Sequence, residues 1–174
     1  MSNGAQQVLT LVFGIWLARM LTPADYGMGG QLAIFSLIAA TIQESGFTAA
    51  LTNRPTMEHR DYNAVFWFCL PLSVSLYAVL FAAAPLIAAF FKNEEIIPLA
   101  RYLFLSFIIS GLGIVPSARL FKTMRVRERT LSNLIALAVS GVAGIVLAYN
   151  GFAYWGLATQ TLVYVTVNTA VYWM

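Results

Sequence analysis

The chain has 174 residues, of which 60% are hydrophobic and only 10% charged, and its formal net charge is +3. A soluble domain carries about 25% charged residues, and a water-soluble fold of this size cannot hide so much apolar surface, so part of its solvent is lipid. A single cysteine, Cys69, excludes an internal disulfide framework and a cysteine-rich metal site.

Six apolar stretches separated by short polar breaks predict six transmembrane helices. In chain order they cover about 5–21, 26–51, 63–91, 97–118, 131–149 and 152–174. A bilayer core needs about 20 helical residues at about 1.5 Å each. The first span is at the short end, and the last three fit well. The third is longer than needed and carries Pro71 and Pro85, which predicts tilt or a kink. Continuous apolar runs, in place of ten-residue alternations, select helices over a barrel. The expected fold is therefore an all-α integral membrane bundle of six helices in one unit, residues 1–174. The opening MSNGAQQVL has no basic n-region and no cleavage site, so it does not read as a signal peptide.

Lysine and arginine set the orientation. The breaks after the second and fourth spans hold seven of the ten basic residues: Arg54, Arg60, Arg119, Lys122, Arg125, Arg127 and Arg129. Arg19, Lys92 and Arg101 lie toward the other side, near Asp25, Glu94 and Glu95. The positive-inside rule then places both termini in the cytoplasm.

Small and polar residues recur every three or four positions on four spans. Gln7, Thr10, Gly14 and Ala18 line one side of the first, and Ser36, Ala40, Gln43 and Glu44 mark the second. Ser132, Ala136, Ser140, Gly144 and Ala148 form a ridge on the fifth, widened by Gly141. Gln160, Tyr164, Asn168 and Tyr172 stripe the sixth. Polar groups facing lipid are costly, so these stripes are expected to face the bundle interior, either as hydrogen-bonding glue between helices or as the lining of a wet cavity. For Gln160, Tyr164 and Asn168 the two readings carry equal weight.

Arg19, Glu44 and Arg101 are ionisable residues at or inside span ends, which makes them functional candidates. For Arg101, about one turn into the fourth span, snorkelling to the interface is the better reading. Glu44 is followed by Ser45-Gly46 and either lines a cavity or pairs with a nearby arginine such as Arg54. The segment RLFKTMRVRER is a basic connector that touches anionic lipid head groups. Its sharper reading is an entry patch for a lipid diphosphate, built of Arg119, Lys122, Arg125, Arg127 and Arg129. His59 beside Glu58 and Asp61 is a poor metal site and reads as solvated. There is no nucleophile motif, phosphate-binding glycine loop or nucleic-acid module, so neither an enzyme nor a cofactor is predicted.

The stretches LARMLTPADYGMGGQLAIF, ESGFTAALTNR, NAVFW and APLIAAFF, followed by RLFKTMRVRERTLSN and NGFAYWGLATQTLVYVTVNTAVYW, resemble the polysaccharide-export flippases of the MOP superfamily, the Wzx-type transporters of O-antigen and exopolysaccharide units. The resemblance implies one six-helix lobe of a two-lobe transporter, the N-terminal one. The chain is then a fragment or a half-length protein. It further implies translocation of undecaprenyl-diphosphate-linked oligosaccharides across the bacterial cytoplasmic membrane, with Arg19 and Arg54 as diphosphate contacts and Glu44 as a recurring acidic position. Two alternatives stand beside it: a drug or cation antiporter of the same superfamily, relying on Glu44, and a non-transporting scaffold that binds a polysaccharide polymerase or glycosyltransferases.

Overall fold

The computed structural model describes residues 2–44, 59–122 and 126–173. Among them are six helices and no strand: α1 (Ser2–Met20), α2 (Pro23–Glu44), α3 (His59–Phe91), α4 (Ile96–Lys122), α5 (Val126–Tyr149) and α6 (Ala153–Trp173). Three segments are long and apolar enough to cross a membrane: Tyr62–Phe91, Ile96–Ala118 and Thr130–Tyr149. The other helices have 19, 22 and 21 residues, long enough for a core of about 30 Å. Their amides, hydroxyls and glycines lower their hydropathy. The chain is thus an all-α, multi-pass membrane bundle. The second span is described as far as Glu44; its expected continuation to residue 51 falls in 45–58, outside the described residues.

Local chemistry places the helix ends. Thr22-Pro23-Ala24-Asp25 forms a reciprocal cap on α2. The Thr22 backbone N–H donates to Asp25 Oδ2 at 2.8 Å, and the Asp25 N–H donates to Thr22 Oγ1 at 3.3 Å. Pro23 takes the first helical position, where no N–H is needed. α5 closes in a Schellman turn: Phe152 N–H donates to the Leu147 carbonyl and Gly151 N–H to that of Ala148. Gly151 has φ 85°, the left-handed conformation this turn requires. The same bonding closes α3, from Asn93 to Ala88 and from Lys92 to Ala89. There Lys92 occupies the left-handed position at φ 53°.

Two antiparallel hairpins, α3–α4 and α5–α6, form the body, and α4 packs along α6. α1 lies on α5, while α2 crosses α6, α3 and α4. The main core gathers Leu32, Ala84, Ile96, Ala100 and Phe104, all nearly inaccessible. Outward apolar side chains such as Leu37, Leu86 and Phe90 stay more than 70% exposed, which suits a lipid solvent. α3 runs as one helix of 33 residues, about 50 Å. Pro71 and Pro85 both lie on its exposed side.

The ridge on α5 is buried along its whole length, from Ser132 to Ala148. A Cβ on Gly156 of α6 would lie 3.1 Å from the Gly144 carbonyl oxygen, so the two backbones approach closely there. The expectation for α1 is corrected for Gln7, Gly14 and Ala18, which are exposed, whereas Thr10, though exposed, borders a cleft with α5 and α6. α1 meets α5 through Phe13 and Leu17 instead. The Phe13 ring sits against Gly141, where a Cβ would lie 2.7 Å from ring carbons. One helix offers one face to one neighbour, and the phenyl group in the glycine notch takes it.

Candidate functional site

A cleft of about 300 Å³ opens between α1, α5 and α6, lined by Gln6, Thr10, Asn133, Leu137 and Tyr164. Its lining holds two amides, a hydroxyl and a phenol, and no ionisable acid or base near neutral pH. Tyr172 Oη donates to Asn133 Oδ1 at 3.2 Å, which orients that amide and leaves its Nδ2 group to donate. Thr10 Oγ1 donates to the Gln6 carbonyl at 2.8 Å, leaving its oxygen able to accept.

Helical spacing ranks the α6 stripe around this cleft. Tyr164 lines it. Gln160, one turn before, rests on Gly144, where a Cβ would be 3.2 Å from Gln160 Cβ. Asn168, one turn after, buries its Oδ1 without a hydrogen-bond partner. Leaving such an acceptor unpaired costs about 1–3 kcal/mol.

The charged candidates fall differently. Arg19 is exposed, and it lies nine residues beyond Thr10 on α1, roughly 14 Å along the axis. The structure does not bring it to the cleft. Arg54 and Arg125 lie outside the described residues. Arg119 and Lys122 are on the last turns of α4, and Arg127 and Arg129 on the first turn of α5. Arg129 precedes Asn133 by four residues, about 6 Å of helix rise. The cleft therefore opens at the end of the bundle that carries the basic connector. Glu44 is the last described residue of α2, directly after Gln43.

Gln43 is glue. Its Nε2 donates to Ser73 Oγ of α3 and to the Phe107 carbonyl of α4, both at 2.9 Å, and the group is 2% exposed. Ser73 Oγ in turn donates to the Cys69 carbonyl at 2.8 Å. A Cβ at Gly111 would lie 2.6 Å from Ser73 Cβ, so only glycine leaves room for this junction of three helices. Two further α4 carbonyls take donors from α6. Thr169 Oγ1 donates to Ile109 at 3.4 Å and Trp173 Nε1 to Leu112 at 3.1 Å. The second has a cause in the sequence: Pro116 has no N–H, so the Leu112 carbonyl lacks its helical donor.

Asn133 and Gln6 were not singled out from the sequence. Asn133 lies beside the ridge residue Ser132, and Gln6 beside the stripe residue Gln7. Only the pairing of α1 with α5 shows which neighbour reaches the cleft.

A model of the family described as polysaccharide biosynthesis protein matches residues 16–174. The chain belongs to this polysaccharide biosynthesis family. Relatives of the family member include the teichuronic acid biosynthesis protein TuaB of Bacillus subtilis, 28% identical over 106 residues, which are 61% of this chain and 22% of that protein. The lipopolysaccharide biosynthesis protein WzxC of Escherichia coli is 22% identical over 156 residues, 89% of this chain and 31% of its own length. The succinoglycan biosynthesis transport protein ExoT of Rhizobium meliloti is 27% identical over 147 residues, 84% and 30% respectively. The chain thus spans between a fifth and a third of the length of these curated relatives. No solved structure matches it.

Proposed function

We propose that the chain is one six-helix lobe, the N-terminal one, of a transporter in the bacterial cytoplasmic membrane, with both termini cytoplasmic. It carries undecaprenyl-diphosphate-linked oligosaccharide units outward for polysaccharide assembly. The observation that carries this reading is the juxtaposition at one end of the bundle of a neutral amide-and-hydroxyl cleft with the basic connector. Amides, a phenol and a hydroxyl match the donors and acceptors of a saccharide. Arg119, Lys122, Arg125, Arg127 and Arg129 match a diphosphate. Gln160 and Asn168 extend the saccharide side of the cleft, and Arg54 serves the diphosphate side. The name of ExoT, a transport protein of succinoglycan biosynthesis, supports the same reading.

The test uses proteoliposomes holding a fluorescent polyprenyl-diphosphate saccharide, with the label quenched from outside. Asn133→Leu is expected to lower the flipping rate about ten-fold, the loss of one polar contact to substrate. The variant must keep its helix content. An unchanged rate with Asn133→Leu and with Tyr164→Phe would refute the cleft as the saccharide site.

A further inference from the structure

Arg101 turns its side chain away from the turn between α3 and α4 and toward Phe81. It lies five residues into α4, while the ring beneath its guanidinium is Phe81, ten residues before the end of α3. Their Cα positions are thus about 8 Å and 15 Å down their helices from the connecting turn. The guanidinium carbon sits 4.1 Å from the Phe81 ring centroid. The side chain therefore lies inward along α3 instead of reaching for the turn. Its Nε is buried and has no hydrogen-bond partner. No carboxylate pairs with it among the described residues; the nearby acids, Glu94 and Glu95, are exposed on the turn.

The surroundings of this cation are lipid-facing. Phe81 is 39% exposed and Leu105 38%. A half-buried guanidinium without a counter-charge is costly. Stacking on one ring contributes only about 0.5–2 kcal/mol against that cost. The guanidinium N–H fork matches a planar, bidentate anionic acceptor. The anion present at a lipid-facing surface is the phosphate of a lipid.

We infer that Arg101 of α4, seated on Phe81 of α3, is a binding site for the phosphate group of a lipid. The site stands independently of the transport reading. Two lipids carry this chemistry, a glycerophospholipid and a polyprenyl diphosphate, and the experiment separates them.

Purified protein is titrated with phosphatidylglycerol, and separately with polyprenyl diphosphate, and bound lipid is counted by native mass spectrometry. Arg101→Gln is expected to weaken retention of one bound lipid about ten-fold or more, as for loss of a charge-assisted hydrogen bond. Lys92→Gln, an exposed turn cation, is expected to leave it unchanged. Loss confined to the phosphatidylglycerol arm assigns the site to bulk lipid. Loss confined to the polyprenyl arm assigns it to the lipid carrier, and loss in both supports phosphate as the shared determinant. Equal retention by wild type and Arg101→Gln, or equal loss with Lys92→Gln, overturns the site. A second measurement needs no variant. Phenylglyoxal modification of Arg101 in nanodiscs is expected to slow about five-fold or more when phosphatidylglycerol replaces a phosphate-free glycosyl diacylglycerol, consistent with a charge-assisted contact, and equal rates overturn the proposal.

Discussion

Trp173 matters to α4 only because residue 116 is proline. The indole N–H of Trp173 donates to the Leu112 carbonyl at 3.1 Å, the carbonyl that Pro116 cannot serve. Trp173→Phe removes the donor and keeps an aromatic ring against Phe66, whose centroid is 6.0 Å from that of Trp173. Hydrogen bonds between membrane helices average about 0.6 kcal/mol and reach about 1.7. Leu112 is half-buried and Trp173 is 60% exposed, so a value near 1 kcal/mol is expected. In a Pro116→Ala background the new backbone N–H of residue 116 supplies the Leu112 carbonyl, and the indole donor becomes redundant. Trp173→Phe should then cost only a few tenths of a kcal/mol. Pro116→Ala by itself also changes helix propensity, by up to about 3 kcal/mol, but that contribution cancels in the double-mutant cycle. Unfolding of all four proteins in mixed detergent micelles, followed by far-ultraviolet circular dichroism, measures the coupling. Costs of Trp173→Phe that agree within about 0.3 kcal/mol in the two backgrounds would refute the argument.

At the junction of α2, α3 and α4, Gly111→Ala places a methyl carbon 2.6 Å from Ser73 Cβ. Both atoms are fixed to backbone, so the helices must separate, at an expected cost of about 1–3 kcal/mol. The same micelle titration checks it, and a neutral result would mean that α3 and α4 are not in this register. At the end of α3, Lys92 holds φ 53° in a Schellman turn. Lys92→Gly is expected to stabilise the bundle by about 1 kcal/mol through relief of the left-handed conformation. Destabilisation there would show that the lysine side chain contributes more than its backbone strain costs.

Much of this protein was legible without coordinates. The number of helices follows from the spacing of apolar runs, because lipid forces every backbone polar group to be satisfied within its own segment. The start of α2 follows from Thr22-Pro23-Ala24-Asp25, a local cap that needs no distant partner. The α5 ridge is equally plain: small residues every fourth position leave room for a backbone, and α6 fills it. Composition also identified the polar stripes. It did not distinguish their roles, because an amide suits helix pairing and ligand binding equally well.

Tertiary structure decided those roles. Gln43 became glue because Ser73 and the Phe107 carbonyl lie within reach, contacts 30 and 64 residues away in the chain. Asn133 and Gln6 joined a cleft because Phe13 entered the Gly141 notch and fixed how α1 turns on α5. Arg101 lay along α3 because Phe81 offered a ring at that height. Helical periodicity is a property of each segment alone, so sequence determined that this is a multi-pass helical membrane protein and where most of its helices begin and end. The rotation of each helix about its axis depends on which side chains of other helices fill its notches, and only the assembled bundle sets that.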